Sequence, residues 1–256
     1  MRFWKWHGLG NAYLVVERPD RGALEPARVR RLCNVGTGIG SDGVIEVVAR
    51  TSAEAEIVIW NPDGSVAEMS GNGVRIAARW LAMQTGAREV VVVTGGRRVH
   101  ARMLEGGDVE TDIGEVEIGA PETIDLGDGE AVELTPVSVG NPHAVVRRDG
   151  ATRGDLLLLG PRIETHPRFP NRTNVQLVEP VGANELRVLV WERGAGETAS
   201  SGSSSTAAAA VAVARSWCVS PVTVHLPGGD LVVTLAGSFA TLLGPAEQIC
   251  EGVTAL

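Results

Sequence analysis

Ser70-Gly71-Asn72-Gly73 opens an apolar stretch at 74–83, and Ser201-Gly202-Ser203-Ser204 opens another at 206–215. The two serines stand 131 positions apart, at 70 and 201. Gly10-Asn11, before Ala12-Tyr13-Leu14-Val15-Val16, is echoed 130 positions on by Gly140-Asn141, before Pro142-His143-Ala144-Val145-Val146. Trp60-Asn61 is echoed by Trp191-Glu192, again 131 positions on. Three echoes in one register predict two half-domains of common descent. Such a pair places equivalent groups on opposite sides of one cleft, which suits chemistry that must reach both faces of one carbon.

Working outward, residues 3–17 read as a strand broken by the turn Gly8-Leu9-Gly10-Asn11, and 26–33 as a short helix. A glycine-rich loop at 37–43 precedes strands at 44–48 and 55–60, where residues alternate or run apolar. Asn61-Pro62-Asp63-Gly64 is a turn. A helix is expected over 72–84, stopping near Gly86, followed by strands at 90–93, 97–103 and 108–113. The second half repeats the order: a run at 131–139, a helical or irregular stretch at 156–164, strands at 174–179 and 186–191, a helix at 206–217 closed by Pro221, and strands at 222–226, 230–236 and 239–243. The stretch 199–210 resembles a serine and alanine linker in composition, but serine caps a helix and alanine builds one. The expected class is α+β: two pseudo-symmetric half-domains, each a β-sheet wrapped around a central helix. Their expected bounds are 1–116, completed by a last strand at about 245–256, and 117–244. The acidic, glycine-rich stretch 119–130 has no functional reading.

The length of 256 residues accommodates two such halves, and 44% hydrophobic residues supply a core. A net charge of −8 argues against nucleic acid as a partner, because phosphate recognition needs clustered Lys and Arg. No apolar run approaches the roughly 18 residues of a membrane span, and no apolar stretch follows Arg2 and Lys5 as in a signal peptide. Cys33, Cys218 and Cys250 are odd in number and lack CxxC spacing, and the five histidines are scattered. A reducing, cytoplasmic setting without a metal site is therefore expected.

A small residue with glycine at a helix start exposes backbone N–H groups at the positive end of the dipole, a ready anion site. Two such ends facing each other would hold a carboxylate, with Ser70 and Ser201 at their mouths. Plain N-capping serines would leave the same pattern, so both readings stay open. His143 lies in a turn, where a histidine is more often structural. Glu192-Arg193 precedes Gly194-Ala195-Gly196, and an arginine fork beside a glycine loop suits a carboxylate partner. Asn11, Asn61, Asn72, Asn141 and Asn174 all lie in or beside turns.

Seven stretches come in one order along nearly the whole chain: His7-Gly8-Leu9-Gly10-Asn11, Gly38-Ile39-Gly40-Ser41-Asp42-Gly43, Asn61-Pro62-Asp63-Gly64-Ser65, Gly71-Asn72-Gly73, Gly140-Asn141-Pro142-His143, Phe169-Pro170-Asn171-Arg172-Thr173-Asn174-Val175, and Trp191-Glu192-Arg193-Gly194-Ala195-Gly196-Glu197-Thr198. Together they resemble the signature stretches of the diaminopimelate epimerase family. The resemblance implies two pseudo-equivalent halves with the active site in the cleft between them, and chemistry without a cofactor. One cysteine thiolate removes the α-proton of an amino acid, and a cysteine thiol on the opposite face returns one. It implies substrate contacts from Asn11, Asn61, Asn72, Asn141, Asn174 and Arg193, and a carboxylate site on the amides of Gly71-Asn72 and Gly202-Ser203. It implies that His143 and Glu192 assist the reacting pair, that LL- and meso-diaminopimelate are interconverted for lysine and peptidoglycan precursors, and it makes a homodimer plausible.

The family's two cysteine positions are Ser70 and Ser201 here, and Ala12 follows Asn11 where the family has an acidic residue. A serine hydroxyl is a far weaker acid than a thiol and needs a helping neighbour. Three accounts stay open. The chain is an epimerase working on serines, with His143 and Glu192 as supporting acid–base groups; or a deliberately silenced form; or a relative that binds or isomerises a different amino acid. The serine-rich run 200–205 argues against the second.

Overall fold

The computed structural model describes residues 1–18, 22–67, 69–127 and 129–256. The chain divides into two units, Met1–Asp112 with Leu243–Leu256, and Ile113–Leu242. In the first, β1 (Arg2–Gly8) and β2 (Asn11–Glu17) lead through α1 (Pro26–Cys33) to β3 (Val44–Arg50) and β4 (Glu54–Trp60). Then come α2 (Gly71–Thr85), β5 (Glu89–Thr94), β6 (Arg97–Met103) and β7 (Asp108–Glu115). The second has β8 (Glu117–Ile118), β9 (Glu122–Gly127), β10 (Glu130–Ser138), β11 (Pro142–Arg147), α3 (Arg153–Glu164), β12 (Asn174–Gly182), β13 (Glu185–Glu192) and β14 (Gly196–Thr198). It continues with α4 (Gly202–Ala214), β15 (Val222–Leu226), β16 (Gly229–Ala236) and β17 (Phe239–Pro245), and the last strand, β18 (Glu247–Val253), belongs to the first unit.

The duplication is visible in the strand pairing. β1–β2, β3–β4 and β5–β6 are antiparallel, joined by the parallel pairs β2–β3 and β4–β5. In the second unit β10–β11, β12–β13 and β15–β16 are antiparallel, joined by the parallel pairs β11–β12 and β13–β15. Each parallel crossover carries a helix, as such connections require: α1 and α2 in one half, α3 and α4 in the other. β18 returns to pair with β1. This is the α+β class that the echoes predict.

Both central helices are surrounded, as helices apolar on every side must be. α2 buries Val74, Ile76, Ala77, Ala78, Trp80 and Leu81, and touches β1, β2, β4, β5 and β6. α4 buries an unbroken alanine-rich run and touches β10, β11, β12, β13, β15 and β16. Its small side chains let the surrounding strands approach closely.

Three elements differ from the sequence reading. The helix expected over 206–217 starts at Gly202 and ends at Ala214. Its serines belong to the helix because their hydroxyls are satisfied inside it: Ser205 Oγ donates to the Ser201 carbonyl at 2.8 Å, and Thr206 Oγ1 to the Gly202 carbonyl at 2.9 Å. It stops early because Ser216 turns left-handed, at φ +57°. The stretch read as helical or irregular is the helix α3, closed at its start by a capping box of Thr152 and Asp155. Pro161 sits inside α3. The carbonyl that its missing N–H would serve belongs to Leu157, whose side of the helix faces water. Finally, the acidic stretch 119–130 contains β9, which pairs antiparallel with β10 from Glu122↔Leu134 to Gly127↔Glu130. Two of its charges are matched: Glu122 pairs with Arg168 at 2.8 Å, and Glu130 with Arg162.

Candidate active site

In the first unit Ser70 is the N-cap of α2. Its Oγ accepts from the Gly73 amide at 3.0 Å and lies 3.1 Å from the Tyr13 hydroxyl. The amides of Gly71 and Asn72 open the helix, where geometry provides no intrahelical acceptor. A chain of hydrogen bonds runs past this end. Buried Arg75 donates to Asn72 Oδ1 at 2.7 Å, Asn72 Nδ2 donates to Asn11 Oδ1 at 3.2 Å, and Asn11 Nδ2 reaches Asp42 at 3.4 Å. Asp42 also accepts the Ala12 amide at 2.7 Å, so a carboxylate from the glycine-rich loop serves the backbone beside Ala12. Burial depresses the Arg75 guanidinium to about 10, still charged at neutral pH. Asn61 lies in the turn, where its Nδ2 donates to Ser65 Oγ at 2.9 Å. Trp60, just before it, donates its indole N–H to buried Glu46 at 3.1 Å.

The second unit holds the counterparts. Ser201 caps α4 with nearly the backbone of Ser70, φ/ψ −147°/121° against −140°/117°. Its side chain makes no cap bond to the helix; its hydroxyl acts on the Glu192 carboxylate, favouring the ionised form. Burial raises the Glu192 pKa, and the Ser201 hydrogen bond opposes part of that rise. Trp191 is tethered as Trp60 is: Glu164 accepts its indole N–H at 2.7 Å and also the Gly194 amide at 2.8 Å. One buried carboxylate thus fixes both sides of Glu192-Arg193. Asn174 ties the same strand end to the other turn, donating to the Pro142 carbonyl at 2.8 Å and accepting the Arg193 amide at 3.0 Å. Its side-chain oxygen and one of its two N–H donors hold backbone.

His143 is fully enclosed, 1% exposed. Its Nε2 lies 3.0 Å from Asn141 Oδ1, and its Nδ1 3.0 Å from Gln176 Nε2, which also donates to Ser204 Oγ at 3.0 Å. This arrangement suits a neutral ring, with Nε2–H donating and Nδ1 accepting. Burial first, and the Arg193 charge second, depress its pKa to about 3. A group neutral in the fold but protonated near 6.5 when unfolded stabilises the protein fully above pH 6.5, and that stability is lost as pH falls toward 3. Between pH 7 and pH 5 the wild type is expected to lose about 2 kcal/mol more stability than His143→Gln, measured by urea unfolding. Parallel pH curves for the two proteins would show that His143 is not held neutral.

The structure therefore brings Ser201 to Glu192, and Asn11 to Asn72, and it gathers Asn141 and His143 about Gln176 and Asn174 beside Arg193. It adds residues that sequence reasoning missed. Tyr13 and Gln176 had no local signal, since their partners lie 57 and 33 positions away. Arg75 had one: a charge inside an apolar run at the start of a central helix. Glu46 and Glu164 could have been sought from the echoed tryptophans, each of which needs an acceptor once buried.

Sequence and structural comparisons bear on the family and the fold. The model of the family "Diaminopimelate epimerase" matches residues 3–119 and 135–249. The diaminopimelate epimerase of Stutzerimonas stutzeri is 36% identical over 271 aligned positions, covering 98% of each protein. Among solved structures, a probable proline racemase from Agrobacterium radiobacter superposes with a TM-score of 0.72 at 17% identity, covering 100% of this chain and 93% of that one. A hydroxyproline epimerase from Agrobacterium vitis gives 0.72 at 17% identity, covering 98% and 90%. These two share the fold. Sequence likeness of that extent settles the kinship: the chain belongs to the diaminopimelate epimerase family.

Proposed function

We propose that this isomerase interconverts LL- and meso-diaminopimelate, a step toward lysine and peptidoglycan precursors, by two-base proton transfer at the α-carbon without a cofactor. Ser70 and Ser201 carry the protons in place of the family's cysteines. The observation that carries this reading is the setting of Ser201 at the mouth of α4: the serine leaves its own helix end uncapped, and its hydroxyl acts on a carboxylate whose basicity burial has raised. A serine hydroxyl becomes a useful proton carrier only beside such a base. The amides of Gly71-Asn72 and Gly202-Ser203 bind the substrate carboxylate, stabilising the negative charge that develops as the α-proton leaves. Arg193 and the Asn11, Asn61, Asn72, Asn141 and Asn174 group orient the rest of the substrate. His143, neutral and held on both ring nitrogens, acts as a hydrogen-bonding group that fixes Asn141.

The substrate assignment is tested by incubating the protein with LL-diaminopimelate and, separately, with L-proline, and separating isomers on a chiral column. The meso form is expected from the first, and no D-proline from the second. Turnover of proline with none of diaminopimelate would move the chain to another substrate class.

A further inference from the structure

Resting on the epimerase reading above, we propose that Tyr13 is the proton-relay partner of Ser70, so that the first half works through a phenol–alcohol pair as the second works through Ser201 and Glu192. The two hydroxyl oxygens are 3.1 Å apart, and Ser70 Oγ also accepts the Gly73 amide at 3.0 Å. A serine hydroxyl has one proton and two lone pairs. Gly73 takes one lone pair; the proton and the other lone pair are shared between Tyr13 and whatever approaches from outside. Tyr13 is 7% exposed, and a Cβ placed on Gly43 would meet its ring at 2.6 Å, so the ring is clamped by backbone.

Two arrangements follow. With Tyr13 ionised, the Ser70 proton points to the phenolate and a lone pair faces the substrate. The α-C–H bond breaks and an Oγ–H bond forms, while the original Oγ–H bond breaks and a phenol O–H bond forms. The electron pair of the C–H bond stays on the substrate, and the negative charge passes from phenolate to substrate. With Tyr13 protonated, its O–H points to Ser70, the Ser70 proton faces the carbanion-like carbon, and the same steps run in reverse. Of the two hydroxyls the phenol is the one that can hold the charge, with an ordinary pKa of about 10. The gain comes from placing that acid–base group behind a small hydroxyl at the helix mouth.

Among the described residues, the charged and titratable groups on the elements around Tyr13 include His7 and Lys5 on β1, with Glu247 beyond His7, Asp42 before β3, and Arg75 on α2. Three of these have a partner of their own: Gly10 for His7, Ala12 for Asp42 and Asn72 for Arg75.

Tyr13 is the chain's one tyrosine, which makes a direct test simple. Protein labelled with 13C at tyrosine Cζ gives one tyrosine signal, whose titration reports this phenol alone. Ser70→Gly removes the hydroxyl while keeping a residue tolerated at an N-cap. The Tyr13 midpoint is expected to move up by about one pH unit in this variant, because the phenolate loses a donor. Tyr13→Phe is expected to lower kcat about 100-fold with KM changed less than about threefold, and to remove the rise of kcat/KM toward alkaline pH. An unchanged midpoint in Ser70→Gly overturns the pair. A Tyr13→Phe protein whose pH profile keeps the wild-type shape overturns the relay and leaves the epimerase reading standing. A wild-type protein that exchanges no α-proton overturns that reading and the relay with it.

Discussion

Replacing Ser70 and Ser201 together by cysteine is expected to raise kcat by about 100-fold or more. A thiol has an ordinary pKa near 8.5, and a helix N-terminus lowers it into the working range. Both positions are such N-termini, and their backbones differ by 7° or less in φ and ψ, so each thiol would stand at a helix mouth on the same backbone. The single replacements are expected to help far less. In a two-base mechanism the remaining serine still limits one direction of proton transfer, and residues that act as a unit do not add. The measurement is steady-state turnover of LL-diaminopimelate by the four proteins. A folded double variant that binds substrate and gains nothing would show that the pocket has diverged beyond these two side chains.

Glu192→Gln is expected to lower kcat about 1000-fold while leaving the protein at least as stable at pH 7. The two effects separate because of the sign of the pKa change. Burial raises the Glu192 pKa, so the ionised carboxylate is disfavoured in the fold at neutral pH. The folded state binds the proton more tightly than the unfolded state, and stability from this group is present at low pH and lost as pH rises through its folded pKa. The amide removes that cost yet still offers the Ser201 hydroxyl an acceptor oxygen. It cannot take up a proton, so the relay behind Ser201 stops. Thermal unfolding and turnover, measured on one preparation, check both halves of the statement. A large loss of stability at pH 7 would mean that the carboxylate is part of the scaffold.

How much of this was legible in the sequence depended on range. The start of α2 was visible because its signals are local: a capping serine, two glycines and an apolar run. The start of α4 was misplaced by four residues because a serine run normally competes with helix. Here its hydroxyls bond backward within the helix, which composition does not reveal. The echo of Trp60-Asn61 in Trp191-Glu192 pointed to a shared design, and the structure explains it: buried carboxylates on otherwise different elements, Glu46 on β3 and Glu164 at the end of α3, hold the two indoles. His143 shows where local reading misleads. It sits next to a turn, where side chains are usually solvated, but the parallel register of His143 with Asn174 places it inside the sheet. There its charge, and not its presence, is what the fold excludes. The Tyr13–Ser70 and Ser201–Glu192 pairs need tertiary structure to be seen at all, although the duplication told where to look.

The central claim is that this serine-bearing site moves a proton at an amino-acid α-carbon. Proton NMR of the protein with LL-diaminopimelate in deuterium oxide tests it most directly. The account predicts that the α-proton signal disappears as deuterium enters and the meso form accumulates. An α-proton signal that persists undiminished, under conditions where substrate is bound, would contradict it.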